Sequence, residues 1–267
     1  MNRMITAFLV IIVLFSYTMS VLGRRGNVQS IWRMWIGTVL PETLISGWSV
    51  ATSRNAAIVE TVLIANLPQL LLTFLYFVLN SLFTSMSLAT EWSHYGQHRR
   101  GLRVSQRRSQ DQRSTYFLQL PYRLSIPLLC LSVLLHWIVS QTIFFVQIKG
   151  KDAVGKSVQL DNTSDDPDVI TCGYSPLGMV ITLVILVALM GFAIALGLRQ
   201  LAPGIPMAGS CSMAIAAACH VPEGTSELLP MKWGVVSEGL FGDGEIIGHC
   251  SFSNDEVDSP TAGKMYA

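Results

Sequence analysis

Leu177-Gly-Met-Val-Ile-Thr-Leu-Val-Ile-Leu-Val-Ala-Leu-Met-Gly-Phe-Ala-Ile-Ala-Leu-Gly-Leu198 carries no charged residue. A hydrocarbon layer of ~30 Å needs ~20 helical residues to cross it, so this stretch is long enough. Inside such a layer no water satisfies backbone N–H and C=O groups, and a helix satisfies them within itself. Three more blocks extend the pattern. They run over Ile5–Leu22, about Ile58–Met86 with Pro68 near its start, and Leu124–Val146, where His136 is the titratable group. Pro68 is tolerable where a neighbouring helix or side chain satisfies the carbonyl it frees.

These blocks predict an all-α fold: a four-helix transmembrane bundle over residues 1–200, with spans near 5–22, 58–86, 124–146 and 177–198. A small tail, 201–252, follows and packs near the membrane. Within it Trp233–Val236 and Ile246–Phe252 flank Gly242-Asp243-Gly244, a pattern that suggests a β-hairpin because Asp-Gly supplies the positive φ angles of a tight turn. Ala208–Cys219 is a run of small residues too short to span, and suits a helix packed on the bundle. Residues 253–267 read as a terminus without fixed structure. The first block is longer than the ~7–15 apolar residues of a signal peptide and lacks a small-x-small cleavage site, so it reads as a retained span.

Composition agrees. Only 13% of the 267 residues are charged, against about 25% in a typical soluble domain. The charge that exists is concentrated between the blocks. The net charge of +1 therefore says nothing about partners. Five scattered cysteines form no disulfide framework. The loop from Arg24 to Ala57 holds Trp32, Trp35 and Trp48, and either lies along the membrane surface or packs on the helices.

Orientation follows from the loops. Gln97–Arg113 contains Arg99, Arg100, Arg103, Arg107, Arg108 and Arg113, which the positive-inside rule assigns to the cytoplasm. The loop after the third block is acidic and includes Asn162-Thr163-Ser164, an N-glycosylation acceptor usable on the lumenal or external side. Both termini then face the cytoplasm, in a plasma membrane or endomembrane. Arg24, Arg25, Arg33 and Arg54 in the first external loop are the discordant feature. The arginine cluster is also a candidate contact for anionic lipid headgroups, at about 1 kcal/mol per arginine. Ser105, Ser109 and Ser114 lie among these arginines, where phosphorylation would weaken that attraction.

Two blocks carry polar stripes. Asn66, Gln69, Thr73, Tyr76, Asn80, Thr84 and Ser87 fall within an arc of roughly 80° at 100° per residue. Ser125, Ser132, His136 and Ser140 form a second stripe. A polar seam through Asn66, Gln69, Thr73, Asn80, Ser132, His136 and Ser140 would line a pathway or hold the helices together by hydrogen bonds; the latter is the simpler account.

Other motifs fail on context. Gly150-Lys-Asp-Ala-Val-Gly-Lys-Ser157 matches the phosphate-binding pattern, but no helix-forming sequence follows it and the loop is far shorter than a nucleotide-binding domain. Cys211, Cys219, His220, His249 and Cys250 lack the close ligand pairs of a zinc finger. The chain has no H-E-x-x-H, no G-x-S-x-G and no paired carboxylates in a membrane block. No cofactor, metal, nucleotide or nucleic-acid partner is expected, and an enzyme is the least supported class.

Several phrases resemble a fungal family of uncharacterised multi-spanning membrane proteins. They are Tyr116-Phe-Leu-Gln-Leu-Pro-Tyr-Arg123, Leu135-His-Trp-Ile-Val-Ser-Gln141, Cys172-Gly-Tyr-Ser-Pro-Leu177, Gly209-Ser-Cys-Ser212, Ala218-Cys-His220, Trp233-Gly-Val-Val236 and Gly248-His-Cys-Ser-Phe-Ser253. The resemblance covers most of the chain from about Ala57 onward and is to the carboxy-terminal part of longer members, as in a truncated gene model or a short paralogue. It implies a membrane location and a fungal source, and no reaction. The expected function is a non-catalytic structural or signalling membrane component, with membrane-protein partners or copies of itself. The alternative is a transporter or channel subunit using the polar seam. A pathway needs a wetted cavity along the seam, whereas a scaffold needs it dry and closed.

Overall fold

The computed structural model describes residues 13, 35–39, 43–45, 53–150, 168–208, 211–240 and 246–266. The first apolar block, Val13 apart, lies outside the described residues, as do Asn162 and residues 151–157 of the phosphate-loop match. Four helices are described: α1 (Arg54–His94), α2 (Tyr122–Ser140), α3 (Pro176–Gly197) and α4 (Ser212–Ala218). The first three are long and apolar enough to cross a membrane. Their apolar side chains point outward in large number; Leu63, Leu70, Phe74, Phe77, Val133 and Val184 are all exposed.

The all-α expectation is overturned. Three two-stranded sheets accompany the helices, giving a mixed α/β fold. The strands are β1 (Arg103–Val104) with β2 (Arg113–Ser114), β3 (Ile143–Lys149) with β4 (Asp168–Tyr174), and β5 (Lys232–Leu240) with β6 (Ile246–Ser253). The expected third span, 124–146, merged two elements. The helix stops at Ser140, and Ile143 onward pairs antiparallel with β4, from Ile143↔Tyr174 to Lys149↔Asp168. Ile143-Phe-Phe-Val is as apolar as the helix before it, so hydropathy alone could not mark the boundary.

The span expected at 58–86 errs the other way. α1 has 41 residues, about 60 Å of helix at ~1.5 Å per residue. That is about twice the length a helix needs to cross a hydrocarbon layer of ~30 Å. Ser53 opens α1, its Oγ accepting from the Ala56 N–H at 3.4 Å. Pro68 sits inside, where its missing N–H leaves one carbonyl of the preceding turn without its usual donor.

The chain separates into two compact units. One comprises the described residues of Met1–Leu79 and Leu128–Ala193. Its core is Leu72, Leu135, Val139, Leu186 and Met190, from α1, α2 and α3. The β3–β4 pair is extended by Leu44, which bridges Gly173. The Ile45 N–H donates to the Cys172 carbonyl at 3.0 Å, and the Thr171 hydroxyl to the Ile45 carbonyl at 2.6 Å. Cys172 is fully buried, its thiol 3.7 Å from the Thr61 carbonyl.

The other unit comprises the described residues of Asn80–Pro127 and Ile194–Ala267. Its core is Tyr95, Ile205, Ala218, Met231, Trp233, Cys250 and Phe252. Phe252 meets Trp92 and Tyr95 edge-on, at centroid distances of 5.5 and 5.6 Å. The end of α1 is thus fastened to the β5–β6 hairpin, whose strands lie where the Asp-Gly pattern places them. Residues 254–266, expected to lack fixed structure, run along that hairpin instead. Val235 bridges Asp258, and Gly248 bridges Tyr266. The polar composition that suggested disorder is offset by backbone pairing and by the partly buried ring of Tyr266, which packs against the core.

Candidate functional site

Glu91 lies on the last turns of α1, beyond the apolar run. Its carboxylate accepts from Arg103 Nε at 2.6 and 2.9 Å and pairs with Arg113 Nη2 at 2.9 Å. β1 and β2 place the two arginines in register, Arg103 opposite Arg113. Two like charges side by side repel, and Glu91 is the counter-ion that lets the pair form. Arg103 also donates to the Ser114 carbonyl at 2.8 Å and the Tyr116 hydroxyl at 2.6 Å. Its guanidinium carbon lies 4.0 Å from the Tyr116 ring centroid. Arg113 donates to the Gly101 carbonyl at 2.9 Å and the Tyr95 hydroxyl at 3.3 Å. The Tyr95 hydroxyl donates to the same carbonyl at 3.2 Å. Gly101 makes this closure possible: a Cβ there would run into the Asp111 backbone carbonyl.

The six arginines expected at lipid headgroups therefore divide. Arg103 and Arg113 are partly buried and engaged within the protein. Arg99, Arg107 and Arg108 are exposed. Arg100 is half-buried; its backbone forms a two-bond bridge with Met231, at 2.9 and 3.0 Å. It lines a cavity of about 250 Å³. Phe83, Met86, Leu124 and Leu196 supply one wall of this cavity, and Ser87, Thr90, His94, Arg100 and Arg199 much of the rest. The guanidinium groups of Arg100 and Arg199 form no salt bridge among the described residues. His94 Nδ1 is buried and makes no hydrogen bond among the described residues.

The expected polar seam has a different character from this cavity. Asn66 donates to the Val62 carbonyl at 2.8 Å, Thr73 to the Gln69 carbonyl at 3.0 Å and Ser140 to the Trp137 carbonyl at 2.7 Å. The Asn80 carbonyl accepts from Thr84 at 2.7 Å. These bonds stay within each helix, a common way for hydroxyls and amides to be satisfied in apolar surroundings. Gln69, Ser132 and His136 are half-buried. Among the described residues no hydrogen bond joins the two stripes. Ser132 and Tyr76 border a void of about 10 Å³ otherwise lined by leucines, among them Leu72, Leu75, Leu131 and Leu135. That is room for at most about one water molecule.

The tail cysteines and histidines are only partly gathered. His220 and His249 stack at 6.3 Å between centroids. No group of three or more potential metal ligands occurs among the described residues. Burial pushes the Cys250 thiol above its ordinary value of 9.0.

Sequence reading missed Glu91, Tyr95, Tyr116 and Arg199. Glu91 had one signal: a lone acid at the end of a long apolar block, just before an arginine-rich loop. Arg199, directly after an uncharged span, had the same kind.

The chain matches the family model described as a domain of unknown function, DUF8419, over residues 2–266. No curated protein and no solved structure matches it.

Proposed function

We propose that this chain, which belongs to the DUF8419 family of domains of unknown function, is a multi-pass membrane component with a structural or signalling role. The observation that carries this reading is the contact of α1, α2 and α3. Leucines, Val139 and Met190 pack it, and a void bordered by its leucines holds only about 10 Å³. Such a contact suits helices that brace one another and weighs against a solute path, which needs continuous wetted space. Polar groups beyond the apolar layer serve architecture in the same way: Glu91, Arg103, Arg113 and Tyr116 bind one another.

The unit containing the arginine loop and the tail is assigned to the cytoplasm. The loop's charge supports this by the positive-inside rule. Asn162, between β3 and β4, then lies on the lumenal or external side, within reach of glycosylation. The family resemblance adds a fungal source to the reading. Reconstitution of the purified chain into liposomes tests it. The expected result is solute leakage no faster than from empty liposomes; a saturable flux would replace the structural reading with transport.

A further inference from the structure

We infer that the cavity beside Arg100 and Arg199 seats the phosphate of one anionic phospholipid, with the acyl chains lying along Met86, Leu124 and Leu196. The inference rests on the reading of the chain as an integral membrane protein.

Charge is the first argument. Glu91 is the carboxylate of this cavity, and it already sits between Arg103 and Arg113. Arg100 and Arg199 line the same cavity and form no salt bridge among the described residues. A pocket walled by uncompensated guanidinium groups attracts an anion, and phosphate accepts their N–H bonds well. Ser87 adds a hydroxyl to the same wall, whereas that of Thr90 donates to the Met86 carbonyl at 2.8 Å, and the buried Nδ1 of His94 makes no hydrogen bond among the described residues.

Shape is the second. At about 250 Å³ the cavity is below the ~300–1,000 Å³ that encloses a whole small molecule. It suits a headgroup whose remainder stays outside. The apolar wall decides between lipid and soluble phosphate. A soluble anion leaves the half-buried Met86, Leu124 and Leu196 partly uncovered, while a lipid covers them with its chains. Position agrees, because basic pockets at the inner ends of membrane helices are where anionic headgroups dock. The exposed arginines Arg99, Arg107 and Arg108 supply general surface attraction; the cavity supplies a discrete seat.

Binding of spin-labelled phosphatidylglycerol to the intact chain in phosphatidylcholine nanodiscs tests this. Arg199→Gln is expected to weaken the site about fivefold, and Arg100→Gln with Arg199→Gln about 25-fold. Arg107→Gln with Arg108→Gln is expected to stay within about twofold of the parent. Equal losses in the two double variants, or no loss at Arg199→Gln, overturn the proposal. Arg199 is exposed and its guanidinium forms no salt bridge among the described residues, so its variant is expected to fold, with an unchanged thermal midpoint as the check. Glycerol 3-phosphate is added as a soluble competitor. It is expected not to displace the lipid, and displacement as effective as by unlabelled phosphatidylglycerol overturns the lipid assignment. Failure of the membrane reading itself is separate: alkaline carbonate would then release the chain from its native membrane.

Discussion

Glu91 holds one negative charge between two guanidinium groups that the β1–β2 register sets side by side. Glu91→Gln keeps the shape but leaves Arg103 and Arg113 repelling each other at partial burial. The expected cost is about 2 kcal/mol, with exposure of the groups limiting it, read as a lower thermal midpoint of the intact chain in detergent. An unchanged midpoint would mean that the arginines are solvated well enough to need no counter-ion. At Gly101 the constraint is steric. Gly101→Ala drives a methyl into the Asp111 carbonyl and should cost ~1–3 kcal/mol. Cys250 gives a pH-dependent signal. Folding raises the ionisation of its buried thiol above 9.0. Its contribution to stability is therefore complete below that range and is lost as pH climbs through the raised value. In the folded chain Cys250 should react slowly with maleimide at neutral pH while exposed Cys211 reacts quickly. Equal rates would mean that the hairpin opens readily.

At the scale of elements, the leucine contact between α1 and α2 predicts which faces can be joined. Tyr76 and Ser132 border the same small void, so cysteines placed there should crosslink. Phe77 and Val133 are exposed, at 63% and 64%, and a cysteine pair at those positions should not. Preferential crosslinking of the second pair would refute the helix packing. The final segment is the other test. Val235–Asp258 and Gly248–Tyr266 bridge it to β5 and β6, and the Tyr266 ring packs against the core. Removing residues 254–267 should lower the midpoint and speed Cys250 labelling. An indifferent midpoint would show that the segment only decorates the hairpin.

For the whole molecule the prediction is topological. The arginine loop and the tail belong to one compact unit, and β3 and β4 belong to the other. A glycosylation reporter appended after Ala267 should remain unmodified, while Asn162 is modified. A modified tail would invert the assignment and, with it, the side of the membrane on which the cationic cavity opens. By itself the sequence determined the apolar segments, because transfer into hydrocarbon sums over ~20 consecutive residues and needs no partner. It also located β5 and β6, which pair on either side of the Gly-Asp-Gly stretch of the sequence. Only the tertiary structure decided that Ile143–Val146 leave the helix for a strand, since that depends on pairing with Asp168–Tyr174. It likewise decided which arginines are engaged and which are free. Arg103 and Arg113 look like Arg99 and Arg108 in the sequence, and differ because Glu91 projects from α1 between them. A charge is local, but its counter-ion is a fact of the fold.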